Sequence, residues 1–220
     1  MYIIIVGSGR FGYPLAKSAV KQGNDVVIVE KDEDRAKKIS RELDATVLNG
    51  DGTEPDIIEQ ARIEDSDIIV SSVSDASVNV LVSLLAQDYD VPRVAAVATS
   101  SRYENILQKM GVDVVINPQQ IVSERMMNHI SNPQIEDFLK LGENKRVAVF
   151  EVEHGSTLDG MKISDIDSTS IPDEILVASI LRGDKAIIPS GDSVIKSGDK
   201  VALMISDSDL QQIEKAFRSS

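Results

Sequence analysis

Cysteine and tryptophan are absent from this 220-residue chain. Without cysteine there can be no disulfide, no thiolate nucleophile and no Cys-based zinc site, a composition that suits a reducing compartment. Aromatic residues are only 4% of the chain, so the interior must be built from Val, Ile, Leu and Ala. Basic charge is also scarce. Twenty-three Lys and Arg against 36 Asp and Glu leave a net charge of -13, with no basic stripe to neutralise nucleic-acid phosphates or to adhere to an anionic membrane surface. No apolar run is long enough to span a bilayer. The first apolar run begins at Tyr2, which leaves no room for a signal peptide ahead of it. These absences lead to the expectation of a soluble, cytoplasmic protein that does not bind nucleic acid. The 42% hydrophobic content supports a proper core, in one large domain or two small ones.

What is present starts with Gly7-Ser8-Gly9-Arg10-Phe11-Gly12, directly after the apolar run at 2–6. A second apolar run at 26–29 ends in Glu30, an acid at the distance from the glycines that a dinucleotide fold requires. Each glycine then has a task. Gly7 allows the tight turn out of the strand, Gly9 lets backbone approach a phosphate, and Gly12 lets helix and sheet pack closely. Phosphates would sit on the free N–H groups and positive dipole end of the following helix. Glu30 would accept hydrogen bonds from ribose hydroxyls. The competing reading is a glycine turn that only permits close packing.

From residue 1 to about Asn132, apolar runs at 2–6, 26–29, 46–48, 67–70, 93–97 and 113–116 alternate with helical patterns at 11–22, 33–42, 55–60, 76–88 and 102–109. Runs apolar throughout are expected of parallel strands buried on both faces. Thr53 before Glu54-Pro55 reads as a helix N-cap, and Ser74 as another. The prediction is a doubly wound, parallel Rossmann sheet of the α/β class. A further helix is expected at 119–130, with Ile121, Val122, Met126 and Ile130 on one stripe and Met127 beside them. After Asn132-Pro133 the pattern changes. Strands are expected at 147–152, 175–181, 185–188 and 200–205, with a hairpin turn at Gly183-Asp184 and a closing helix at 209–217. The expected division is therefore a nucleotide-binding domain over 1–133 and a small α+β domain over 134–220.

This layout resembles the RCK (also called KTN) regulatory proteins of Trk/Ktr-type potassium-uptake systems, over essentially the whole chain. Four features carry the resemblance: the glycine loop with Glu30; Asn49-Gly50-Asp51-Gly52-Thr53, similar to the family's Gly-Asp-x-Thr turn; Ser72-Val73-Ser74-Asp75 with Asn79; and Ser179-Ile180-Leu181-Arg182 ahead of Ile187-Ile188-Pro189-Ser190-Gly191 and Ser197-Gly198-Asp199-Lys200. The family's usual Thr before the loop after strand four is Ser72 or Ser74 here. The resemblance implies a cytosolic subunit that binds NAD(H) or ATP/ADP as a regulatory ligand. It would gate a membrane potassium-translocating subunit and be held by it at the inner face of the cell membrane. It also implies a homodimer assembling into a larger ring, with the helix at 119–130 crossing to the neighbour. The candidate ligand-contacting residues are Gly7, Ser8, Gly9, Arg10, Phe11, Gly12, Glu30, Lys31, Asp51, Ser72, Val73 and Ser74.

Catalysis is disfavoured. A dehydrogenase needs a proton donor or acceptor beside the nicotinamide and a domain that encloses a second substrate. His129 and His154 read as surface or interface residues, Asp165, Asp167, Asp207 and Asp209 as solvated or capping carboxylates, and Glu124 as no more than a candidate metal contact. The alternatives kept open are a small NAD-dependent oxidoreductase and a stand-alone nucleotide sensor. Arg10 stands inside the phosphate loop, where a cation opposes the helix dipole unless an anion is normally bound. The resemblance implies that it senses the phosphate state of an adenine nucleotide. Glu30 opposes a ribose 2′-phosphate, so NADP should be the poorest ligand.

Overall fold

The fold was taken from a computed structural model, which describes residues 1–131, 135–141, 144–168 and 175–218. By backbone contacts the chain divides into Met1–Ser123 and Glu124–Ser220. The expected boundary at 133/134 falls on residues outside those described.

In the first unit, strands and helices alternate: β1 (Tyr2–Val6), α1 (Gly12–Lys21), β2 (Asp25–Glu30), α2 (Glu33–Glu42), β3 (Thr46–Asn49), α3 (Pro55–Gln60), β4 (Ile68–Ser71), α4 (Ala76–Asp88), β5 (Val94–Val97), α5 (Ser101–Lys109) and β6 (Val114–Ile116). Helix α6 (Pro118–Ser131) follows and runs across the division. The strands form one parallel sheet of order β3-β2-β1-β4-β5-β6. Alternation along β1 explains why the sheet needs helices on both sides. Ile4 and Val6 join Val27, Val29 and Ile69 in one core, while Ile3 and Ile5 join Val26, Ile28 and Val70 in the other.

Two helix starts differ from expectation. Helix α3 is capped at Glu54 and not at Thr53, because the Thr53 N–H and hydroxyl both donate to Asp51 Oδ1. Helix α4 is capped by Asp75 and not by Ser74; the Asp75 carboxylate accepts the N–H of Ser77 at 2.9 Å. An ionised acceptor at a helix start gains from the dipole as well as from the hydrogen bond.

The second unit holds β7 (Ile135–Leu141), β8 (Lys145–Glu151), β9 (Leu176–Arg182), β10 (Lys185–Ile187), β11 (Lys200–Ser206) and α7 (Leu210–Phe217). Its strands form an antiparallel sheet of order β10-β9-β11-β8-β7. The expected hairpin is present, with Arg182 paired to Lys185 across Gly183-Asp184. Strand β7 was not expected. Its pairing with β8 is irregular between Ile135 and Phe138, which breaks the period-two signal by which a strand is recognised. Ala148, Phe150, Val201, Leu203 and Ile205 turn one sheet face into a core shared with α7, where Phe150 and Phe217 stack with ring centroids 4.8 Å apart.

Two sequence segments singled out above meet in this unit. The Arg182 guanidinium forks onto the buried Asp199, with Nε to Oδ1 and Nη2 to Oδ2 both at 2.7 Å, and also donates to the Val194 carbonyl. Burial pushes the Asp199 carboxyl up, but Arg182 and the Lys196 N–H outweigh it and hold the carboxyl below its ordinary value. The pair fastens the turn before β11 to the end of β9.

Candidate functional site

The strand order reverses between β1 and β4, and ligands of open α/β sheets bind beyond the carboxyl ends of the strands at that point. A cleft of about 780 Å³ opens there. Its size is within the range of small-molecule and cofactor pockets. The glycine loop supplies Gly7, Ser8, Gly9, Arg10 and Phe11. The end of β2 supplies Glu30 and Lys31, the turn after β3 supplies Asp51, and the turn after β4 supplies Ser72, Val73 and Ser74.

Gly12 is the one candidate that does not line the cleft. It lies beneath the loop, where an added Cβ would overlap the Gly7 carbonyl oxygen and Ser72 Oγ. Gly7 has φ +87°, the left-handed region that lets the chain leave β1, and its N–H donates to the Val29 carbonyl at 2.8 Å. Gly9 differs from both, since an added Cβ there would meet nothing within 4 Å. That open space lies in front of the start of α1, whose first turn carries no acid to compete with an anion.

Glu30 is 6% exposed. Its Oε2 accepts the Ser8 N–H at 2.9 Å and a hydrogen bond from the Ser8 hydroxyl, and its Oε1 accepts the Asp32 N–H at 2.9 Å. Burial pushes the carboxyl up, but these bonds together with the Arg35 charge outweigh it and hold Glu30 below the ordinary carboxylate range. Glu30 is therefore an anion at neutral pH despite its burial.

Asp51 is held down further, to about 2, first by the hydrogen bond from Lys31 and then by those from Thr53. Lys31 Nζ lies 2.7 Å from Asp51 Oδ2. Because the folded value is depressed, this carboxylate stabilises the fold fully above its ordinary value near 3.8, and the contribution is lost as pH falls towards about 2. The Lys31→Ala variant should show an Asp51 carboxyl titrating closer to the ordinary range by NMR. An unchanged titration would remove Lys31 as the principal cause.

The turn after β4 is pinned from below. Ser72 Oγ donates to the Gly7 carbonyl at 2.8 Å, linking this turn to the glycine loop. Asn79, fully buried on α4, accepts from Ser71 Oγ at 2.6 Å and Val73 N–H at 2.9 Å, and donates to the carbonyls of Val73 and Val97, both at 2.8 Å. All of its side-chain capacity is used.

Several cleft residues were not foreseen: Arg35, Gly50, Gly52, Val78, Ala98, Thr99 and, from the start of α6, Pro118, Gln119, Val122 and Ser123. Arg35 approaches Glu30 Oε2 to 3.6 Å because the Asp32 cap turns α2 back over the end of β2. The spacing from Glu30 through a capping Asp to Arg35 is the signal that could have found it. His129 and His154 are both exposed and neither lines the cleft; His154 Nδ1 lies 3.3 Å from Asp159. Asp165 and Asp209 each accept a hydrogen bond from the serine before them, while the side chains of Asp167 and Asp207 lie outside the described residues. Among the described residues no group of three His, Asp or Glu could hold a metal ion, and no helix is long and apolar enough to cross a membrane.

A parallel sheet of this order, with a glycine loop after β1 and a buried acid at the end of β2, defines the class: a Rossmann domain of the dinucleotide-binding type, joined to a small antiparallel α+β domain. Residues 3–118 match the model of the TrkA-N domain and residues 147–218 that of the TrkA-C domain, so the chain belongs to the TrkA family, as its resemblance to RCK regulatory proteins implied. It is 28% identical over 217 residues to the Trk system potassium uptake protein TrkA homolog of Methanothermobacter thermautotrophicus, covering 99% of both chains. It is 30% identical over 222 residues to the Trk system potassium uptake protein TrkA of Halomonas elongata, covering 98% of this chain and 48% of that one. The chain thus spans about half the length of the second relative. Among solved structures, the GsuK RCK domain superposes with a TM-score of 0.67 at 16% identity, over 100% of this chain and 48% of that one. A GsuK channel bound to NAD gives 0.66 at 16%, over 100% and 40%. At these identities the likeness establishes a shared fold.

Proposed function

We propose that this chain is a nucleotide-binding regulatory subunit of a potassium-uptake system. The observation that carries the reading is the cleft itself. Open space over Gly9 and a buried, ionised Glu30 face one cleft of about 780 Å³, the arrangement needed to hold an adenosine phosphate from its ribose to its phosphates. The names of the potassium-uptake relatives support the transport system, and the existence of GsuK structures bound to NAD and to ADP supports the ligand class. Residues 1–133 form the sensing domain and 134–220 a regulatory domain. Gly7, Ser8, Gly9, Arg10, Phe11, Glu30, Lys31, Asp51, Ser72, Val73 and Ser74 contact NAD(H) or ATP/ADP, with Gly12 shaping the loop beneath. The ligand is sensed and not turned over.

The subunit works as a homo-oligomer that acts on a membrane potassium-translocating partner at the inner membrane face. Helix α6 supports the oligomer, because Ile121, Val122, Met126, Met127 and Ile130 are all more than half exposed on it and need a covering surface. Gating is a population shift, in which a ligand moves the assembly only by its differential affinity for two states. Arg10 makes that difference by pairing with a terminal phosphate. The Arg10→Ala variant is expected to lose discrimination between ATP and ADP, measured as the ratio of their dissociation constants, while still binding both. An ATP/ADP ratio equal to that of the wild type would remove Arg10 from the mechanism.

A further inference from the structure

The dinucleotide fingerprint leaves the residue between its first two glycines unspecified, and here the structure gives that residue a defined bond. Ser8 is 4% exposed. Both its backbone N–H and its hydroxyl donate to the same oxygen of Glu30, Oε2. A carboxylate oxygen accepts about two hydrogen bonds in its plane. Oε2 is therefore filled by Ser8 alone, with the Arg35 guanidinium a further 3.6 Å away. Oε1 accepts only the Asp32 N–H among the described residues and keeps capacity for one more donor.

We infer that Ser8 is a positioning residue which couples the phosphate loop to the ribose acceptor: its hydroxyl clamps Glu30 Oε2 and leaves Oε1 with capacity for a donor from the ligand. This rests on the nucleotide reading above and adds to it the role of one side chain. The Ser8 hydroxyl touches Glu30 from the glycine loop, so the loop cannot shift over a phosphate without moving the carboxylate that receives the sugar. The two ends of the site are thereby set together.

The charged groups around Glu30 leave this role to Ser8. Lys31 is committed to Asp51, Asp32 caps α2 through the Arg35 N–H, Arg10 is exposed on the phosphate loop, and Arg35 is half exposed and beyond hydrogen-bond distance. Burial is the largest influence on Glu30 and favours the protonated acid; the Ser8 hydroxyl is the largest influence opposing it. Without that hydroxyl the balance shifts towards protonation, and a protonated Glu30 accepts a ribose hydroxyl poorly.

The test is calorimetric titration of the full chain with NAD and with ADP between pH 4.5 and 8, for wild type, Ser8→Ala and Ser8→Gly. Both variants keep the backbone N–H; Ser8→Ala loses only the hydroxyl, while Ser8→Gly also loses Cβ and serves as the second variant should the alanine variant fail to fold. The expected result is about tenfold weaker binding at pH 7 in both variants, because the ribose acceptor is no longer held in one orientation and must be ordered when the ligand binds. Affinity in the variants should also fall with acidification in a range where that of the wild type is flat. A purely structural serine would lower thermal stability without moving the pH profile. Superimposable pH profiles of wild type and either folded variant overturn the inference. If the wild type binds neither NAD nor ADP, the nucleotide reading itself fails, and the inference falls with it.

Discussion

Gly12→Ala is expected to destabilise the first unit by about 3 kcal/mol or more, the upper range of overpacking costs, while Gly9→Ala costs less than about 1 kcal/mol. Both substitutions add one methyl group to the same loop. At Gly12 that methyl would overlap the Gly7 carbonyl and Ser72 Oγ, so it collides with backbone that cannot give way without breaking the link between the glycine loop and the turn after β4. At Gly9 it meets nothing within 4 Å and stands in the space a phosphate would take. Stability and binding should therefore separate. Gly12→Ala should lose both, and Gly9→Ala should keep its stability and lose nucleotide binding. All four tyrosines lie in the first unit and the chain has no tryptophan, so tyrosine emission during urea unfolding reports on that unit alone. Equal midpoints for the two variants would contradict the steric account.

Asn79→Ala is expected to cost about 3 kcal/mol in the same assay, because it takes a hydrogen-bond partner from buried and part-buried polar groups on three different segments. Those groups are the Ser71 hydroxyl at the end of β4, the Val73 N–H and carbonyl in the turn beyond it, and the Val97 carbonyl at the end of β5. Since Ser72, Val73 and Ser74 line the cleft, nucleotide affinity should fall with stability. Asn79→Asp separates the amide from its shape. It keeps the oxygen that accepts from Ser71 and Val73 but sets a carboxylate against two carbonyls, so a comparable loss is expected. A stable Asn79→Asp protein with wild-type affinity would show that the amide donors contribute little.

The first unit was legible because its strands are parallel and buried on both faces. Ile3, Ile4 and Ile5 form a continuous apolar run that amphipathic alternation would never produce, and the glycines and Glu30 punctuate such runs at fixed distances. Less visible were features made by competition between neighbouring polar groups. Thr53 is a good capping residue in the abstract, but Asp51 is two residues away and takes both its donors. Ser74 loses to Asp75 for the same kind of reason, since the carboxylate one position on reaches Ser77. Strand β7 was hidden because the irregularity between Ile135 and Phe138 breaks its period-two signal.

The site was legible in part. The residues of the glycine loop, Glu30, Lys31, Asp51 and Ser72 to Ser74 converge on one cleft, as their positions at the ends of successive parallel strands dictate. Thr99 enters it only through three-dimensional arrangement, just beyond the end of β5, whereas Arg35 is brought in by the turn of α2 that its spacing from Glu30 and Asp32 marks.

The most direct test is a thermal-shift series on the purified full chain with NAD, NADH, NADP, ATP and ADP, each ligand then recovered and analysed. A ligand at about 100 times its dissociation constant adds about 2.7 kcal/mol to the stability of the unit that binds it. The account predicts a clear upward shift with adenine nucleotides, unequal between members of the ATP/ADP or NAD/NADH pairs, weakest with NADP, and every ligand recovered chemically unchanged. No shift with any of the five, or conversion of the bound nucleotide, would contradict it.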